Sequence, residues 1–515
     1  LGFDMQNHWT KQISALLRRL VRDRKGALSP VFGLMIIPLA VAGGVAVDVG
    51  RAVSSRNDLQ DAVDSTALAL AHLPTSTPLA TLQADATTWM GAELDDKNMG
   101  PLTITVTPAS GQLTVSAAST VATTISAIAG VSSIPVTATS TVKWGLSHVE
   151  LALVLDNTGS MSANNKLPTL VSAATSLVDT LSTTAGSDPA ALKISVVPFS
   201  MTVNVGSGYQ SASWMTGVMP TAYGSDIFTT AGVDRFTLFS QMHQTWGGCV
   251  ESRPAPYDVQ DTAPDSATPA TMFVPFFAPD EPDTGGTFYN NYLADGNSGT
   301  WQQRQGNAAK YTVAPKTGSN PSTGYVYGPN AGCALTPLLR LTDNTNHMSE
   351  VKAKLNQMVA VGDTNIPMGL EWGWHSLSPS GPFADGTAYN TTGVMKIVVL
   401  LTDGWNENTV NGDANASFYS GDGYSWQSRV SGLNTSNQTN RNAALDARMA
   451  TLCANMKAQN IIIYTVRIDV TGVAPTVLQN CASKPADFFD VPNVPDLPAV
   501  FANIAGDIGH LRISQ

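Results

Sequence analysis

Charge is scarce in this chain. Only 13% of its 515 residues are Asp, Glu, Lys or Arg, and the acidic ones outnumber the basic ones by 39 to 28, a net charge of −11. A nucleic-acid surface needs clustered Lys and Arg to replace the counterions of the phosphates, so this balance argues against one. Catalytic signatures are lacking too: there is no nucleophile elbow, Walker loop, zinc-protease motif or dinucleotide fingerprint, and nothing groups the serines with the seven histidines. The expectation is a protein that is not an enzyme. Cysteine is limited to Cys249, Cys333, Cys453 and Cys481, with no Cys-x-x-Cys pair and no histidine at ligand spacing. That disfavours zinc and leaves two disulfides as the economical reading. Three pairings are open. The favoured one joins Cys249 to Cys333 inside one insertion and Cys453 to Cys481 in the C-terminal part.

The deficit of charge is uneven. Residues 1–25 carry six cations (Lys11, Arg18, Arg19, Arg22, Arg24, Lys25) against Asp4 and Asp23, and residues 27–47 then carry no charge. About 20 apolar residues cross a bilayer, so 27–47 reads as a transmembrane helix. Asp48 and Arg51 follow it, so the positive-inside rule puts the N-terminus in the cytoplasm and the bulk outside. A cleaved signal peptide with its cleavage region at 41–46 is the alternative. Beyond the span, Val53, Leu59, Val63, Ala67 and Leu70 keep near-helical intervals over 51–72. Residues 76–146 turn to Thr, Ser, Val and Ala in alternation, clearest at 102–107 and 113–116, and read as a small β-rich domain of half-buried antiparallel strands.

Residues 149–161 (VELALVLDNTGSM) are an apolar run ending in Asp156, with Thr158 and Ser160 at every second position after it. Such a run looks like a buried parallel strand, and its end is where an open α/β sheet places ligands. The three side chains are hard oxygen donors suited to Mg²⁺, Mn²⁺ or Ca²⁺, although Asp156 as a plain helix cap is the simpler alternative. Two further segments favour the cation. Residues 362–367 (GDTNIP) lead into a helix with Pro367 in its first turn and offer Thr364. Residues 396–403 (KIVVLLTD), followed by Gly404, form a second buried strand ending in an aspartate. Together the pieces resemble the von Willebrand factor A family. Its metal-ion-dependent adhesion site implies the ligand set Asp156, Thr158, Ser160, Thr364 and Asp403, with Mg²⁺ first and Mn²⁺ or Ca²⁺ as alternatives. Thr158 stands where serine is commoner.

The remaining pattern fits an α/β, doubly wound, mainly parallel sheet over 147–515. A helix is expected along 167–181, strands at 192–199, 461–468 and 487–491, and another helix at 441–458. A loop-rich insertion at about 200–346 interrupts it. Its acids Asp258, Asp261, Asp265, Asp280, Glu281 and Asp283 read as solvated, with a second Ca²⁺ site as the alternative. Its aromatics Phe276, Phe277, Tyr289 and Tyr292 read as filling a small core of their own, a docking surface being the rival.

The segment VDVGR at 47–51, the pattern LQ-x-A-x-D-x-x-A-L-A-L-A from Leu59, WGGCVE at 246–251, FVPFFAPDEP at 273–282, LQNCAS at 478–483 and the closing 511–514 are similar to TadG-like proteins of Flp (tight-adherence) pilus-assembly systems. The resemblance spans 26–515 and leaves only the leader 1–25 outside; its N-terminal region would be 26–75. It implies a protein of a pilus machine, single-pass in the bacterial inner membrane with its bulk extracytoplasmic, whose cation receives a carboxylate from a partner protein. A scaffold whose metal only stabilises the fold, or a surface adhesin, are the other readings.

Overall fold

A computed structural model describes residues 29–514 except 72, 74–76, 96, 98, 110–111, 144–147, 187, 224–225 and 471–474. The basic leader 1–25 therefore lies outside the described residues, as do His72 and the side chains of the closing 511–514. The chain divides into two compact units, one up to residue 145 and one after it.

The first unit opens with helix α1 (Ser29–Ala71). Its first half is long and apolar enough to cross a membrane, and Phe32, Leu34, Met35, Ile36, Ile37 and Leu39 are all exposed on it. In its second half Leu59, Val63, Ala67 and Leu70 are fully buried, whereas Val53 is 55% exposed and lies off the packed face. Helix α2 (Leu79–Leu94) follows. It falls inside the stretch read from sequence as strands. Leu82, Ala86, Met90 and Leu94 recur every four residues and are all buried, so the helical period prevails there over the Thr- and Ala-rich composition. Strands β1 (Thr103–Ala109), β2 (Gln112–Ala122) and β3 (Ser133–Lys143) then form an antiparallel meander in that order. Leu113, Val115, Ala117 and Val121 alternate into a core shared with α1 and α2. On the other face Thr114 meets Thr141 and Ser116 meets Thr139 across the strands at 3.0 and 3.1 Å.

The second unit is built on β4 (His148–Asp156), α3 (Lys166–Ala185), β5 (Leu192–Phe199), β6 (Val203–Asn204), α4 (Arg235–Gln241), β7 (Cys249–Val250), α5 (Trp301–Gln305), β8 (Leu339–Asp343), α6 (Ser349–Leu355), α7 (Ile366–Leu377), β9 (Val394–Thr402), α8 (Gln438–Ala458), β10 (Ile462–Ile468), α9 (Thr476–Cys481), β11 (Phe488–Val491) and α10 (Leu497–Ser514). The sheet runs β11-β10-β9-β4-β5-β6-β7. Its pairs from β11 to β5 are parallel, while β6, β7 and β8 join antiparallel, β8 on β5. Alternate strand residues enter opposite cores. Val154, Phe199 and Leu400 pack with α7 and α8 on one face; Leu153, Val196 and Val399 pack with α3, α6 and α10 on the other. Burial on both faces explains why these strands read as continuous apolar runs. Gly369 and Gly373, one turn apart on α7, allow its close approach: a Cβ there would lie 2.6 Å from Phe199 and 2.4 Å from Val154.

The insertion is compact. Cys249 is bonded to Cys333, and Cys453 to Cys481 between α8 and α9. Phe276, Phe277 and Tyr292 are buried with Tyr311. Four of its six acids correct the solvated reading. Asp280 is buried against Lys310 Nζ at 2.6 Å, and Glu281 is buried while accepting from the Tyr289 and Asn290 amides. Asp258 pairs with Arg448 at 3.1 Å. Asp261 accepts from the Ser378 and Tyr389 hydroxyls. Buried carboxylates persist where cations and N–H groups repay their lost hydration, and folding of the long loops supplies those partners. Asp265 and Asp283 are exposed.

Candidate functional site

The register of β4 and β9 assembles the site. Leu155 is paired with Leu401, so Asp156 and Thr402 end neighbouring parallel strands, and the Thr402 hydroxyl donates to Asp156 Oδ2 at 2.7 Å. The other oxygen, Oδ1, accepts the Thr158 amide at 2.8 Å, which closes the loop onto its own aspartate. That turn brings the Thr158 and Ser160 hydroxyls within 3.0 Å of each other. Ser160 Oγ then donates to Asp403 Oδ1 at 2.7 Å, although the two residues are 243 positions apart.

Thr364 arrives from the loop before α7. Asn365 caps that helix by accepting the Met368 amide, with Pro367 in the first turn, the start that Pro367 signals in the sequence. The Gly159 amide donates to Gly362 O at 2.9 Å and the Asn365 amide to Ser200 O at 3.1 Å, so the loop is tied to the ends of β4 and β5. Thr364 is 5% exposed; its carbonyl accepts the Glu407 amide, and its hydroxyl oxygen would lie 3.9 Å from a Cβ placed on Gly404, the residue after Asp403. Four of the five residues expected from sequence are thus linked by hydrogen bonds at the carboxyl ends of β4 and β9, with Thr364 beside Gly404.

Lys166 was not anticipated. Its Nζ donates to Asp403 Oδ2 at 2.6 Å and stands 3.6 Å from Asp469 Oδ2, with only 7% of the side chain exposed. Thr402 was not anticipated either. The one available signal for Lys166 is its position: with Asp179 it is the only charged residue of the twenty in α3.

Burial pushes the Asp156 carboxyl above the usual carboxylate range, and the like charge of Asp403 pushes it further. A divalent cation held there would relieve that repulsion. Among the described residues no three Asp, Glu, His or Cys side chains gather to hold a metal, so a cation here would rely on two carboxylates and three hydroxyls. That all-oxygen set fits a hard divalent ion, which Asp156, Thr158, Ser160, Thr364 and Asp403 would hold.

The long apolar α1 is the other feature that points to a role, and residues 26–72 match the family model described as putative Flp pilus-assembly TadE/G-like. The N-terminal segment is TadE/G-like. No curated protein matches the chain. Among solved structures it is similar to the pilus adhesin SpaC from Lactobacillus rhamnosus GG, at 12% identity and a TM-score of 0.33 over 81% of this chain and 36% of that one. It is also similar to the pilus adhesin RrgA from Streptococcus pneumoniae, at 10% identity and a TM-score of 0.33 over 80% and 50%. The vWF domain of the type V pili tip protein Mfa5 from Porphyromonas gingivalis matches at 11% identity and a TM-score of 0.32 over 71% and 97%. The chain spans about a third of SpaC and half of RrgA. Likeness this remote carries no argument about ligand or partner. The TadE/G-like segment covers the whole of α1, from its apolar half to the half that packs on the β1–β3 sheet.

Proposed function

We propose that this chain is an inner-membrane-anchored, extracytoplasmic protein of a Flp pilus-assembly machine, and that its second unit is a von Willebrand factor A-type domain binding a partner protein through a divalent cation. The TadE/G-like segment and the exposed apolar half of α1 support the anchor. The Ser160–Asp403 hydrogen bond carries the cation reading, because it unites two distant sequence segments around hard oxygen donors with no catalytic group among them. Asp156, Thr158, Ser160, Thr364 and Asp403 would hold the ion, which would offer a carboxylate of the partner a charged oxygen-seeking centre; Asp156, bonded by the Thr158 amide and the Thr402 hydroxyl, fixes the loop that carries the hydroxyls.

The test is Mn²⁺ binding to the full chain in detergent, followed by electron paramagnetic resonance, for the parent and for Ser160→Ala and Thr364→Ala. One bound ion in the parent and at least tenfold weaker binding in both variants are expected. A parent that binds no ion, or variants that bind as well as the parent, refutes the cation reading.

The Lys166–Asp403 pair favours a second reading. Here the ammonium supplies the positive charge itself, and the site is a structural tie between loops in a scaffold protein.

A further inference from the structure

Contacts along α1 descend in order toward its apolar half. Gln60 donates to the Thr139 carbonyl of β3, and Arg56 to the Thr137 carbonyl. Arg51 donates to the Thr124 hydroxyl. Asp48 accepts the amides of Thr124, Ile125 and Ser126 at 3.0, 2.9 and 2.7 Å. At Gly44 a Cβ would lie 2.4 Å from the Ile125 side chain, so only glycine admits that residue against the helix. The sheet therefore runs down α1, and the connection between β2 and β3 is its lowest point. It reaches past Asp48, the first charge after the apolar run, by about one helical turn, roughly 6 Å at 1.5 Å per residue.

This connection is built for an apolar surrounding. Residues 98–142 contain no charged side chain or histidine. Ile128 is 79% and Val131 49% exposed at its tip. Backbone donors that such a tip leaves open elsewhere are used here: Asp48 takes three, Ile128 N bonds Ile125 O, Gly130 N bonds Ala127 O, and Val131 N bonds Ser126 O. Each donor bonded in this way lowers the cost of leaving water for the interfacial layer. Arg51, at the level of Thr124, lies where a basic side chain meets headgroups.

We infer that the β2–β3 connection is a second membrane contact, with Ile128 and Val131 inserted into the interfacial layer of the bilayer that α1 enters. The inference rests on the membrane reading of α1 and adds to it a fixed orientation. A single helix leaves the tilt of the unit free, whereas a helix plus an inserted tip braced by Asp48 sets it.

The test uses the full chain, whose four cysteines are all bonded in disulfides. Ile128→Cys is labelled with the fluorophore NBD in phosphatidylcholine–phosphatidylglycerol liposomes and quenched by lipids carrying a spin label near the headgroup or deep in the acyl chain. Leu39→Cys reports the span. Thr141→Cys reports the far end of β3, roughly 30 Å away at about 3.3 Å per residue. Position 128 is expected to be quenched several-fold more by the shallow label than by the deep one, position 39 by the deep label, and position 141 by neither. Quenching at 39 without quenching at 128 overturns the inference and leaves the anchor standing. A blue-shifted but unquenched 128 overturns it in favour of a protein partner on the tip. No quenching at 39 removes the membrane reading and the inference with it.

Discussion

Replacing Lys166 by methionine separates the two readings of the site. The ammonium lies 2.6 Å from Asp403 Oδ2, and both residues are at least 94% buried. At an effective dielectric of about 20, the attraction across that distance is about 6 kcal/mol, and desolvation of the pair offsets part of it. Removing one partner of a buried pair costs about 3–5 kcal/mol, because the other charge stays behind. Asp403 would then keep the Ser160 hydroxyl but face Asp156 with no nearby cation. In EDTA, Lys166→Met should therefore lower the urea midpoint of the second unit, read by tryptophan fluorescence, by the equivalent of about 3–5 kcal/mol. With Mg²⁺ at 100 times its dissociation constant, binding returns about 2.7 kcal/mol. The parent gains less, since the ion must displace the ammonium. A variant that unfolds with the parent in EDTA refutes the electrostatic role of Lys166. A weakened variant that Mg²⁺ rescues no more than the parent refutes the cation reading and leaves the scaffold.

Arg448 bonds Asp422 at 2.8 Å and pairs with Asp258 and Glu371 at 3.1 and 3.2 Å, joining α8 to the insertion. Arg448→Met should cost about 3–5 kcal/mol in urea unfolding, and a loss below about 1 kcal/mol would show that these carboxylates are hydrated. The disulfides close 84 and 28 residues, and chain entropy assigns them about 4.6 and 3.6 kcal/mol. The Cys249→Ala/Cys333→Ala pair should therefore destabilise more than Cys453→Ala/Cys481→Ala in chemical denaturation, and the reverse order would point to native-state strain. Burial, then the charge of Glu281, raises the Asp413 carboxyl from 3.8 to about 7. Its folded state favours the neutral acid, so its contribution to stability is complete below about pH 4 and lost as pH rises through 7. Asp413→Asn should flatten the decline in stability between pH 4 and 7, and an unchanged slope would mean that Asp413 titrates normally.

Much of the core was legible because its signals are local. The apolar runs of β4, β5, β9 and β10 mark strands buried on both faces, and Pro367 marks the start of α7. The α2 helix was obscured by its Thr- and Ala-rich composition, since only its four-residue spacing of buried positions separates it from strand. The mixed character of the sheet was hidden too: β6, β7 and β8 are short, and their pairing depends on how the insertion folds back on β5.

By itself the sequence determined the apolar span, the strand ends and the five oxygen-bearing residues, because each depends on neighbours a few positions away. Only the tertiary structure decided that Ser160 reaches Asp403, that Lys166 shares the same carboxylate, and that Asp258 and Asp280 of the insertion are paired with Arg448 and Lys310. These are meetings of side chains tens to hundreds of residues apart. Charge pairing acts through distance in space, which chain order leaves open until the sheet sets its register and the helices close over both faces.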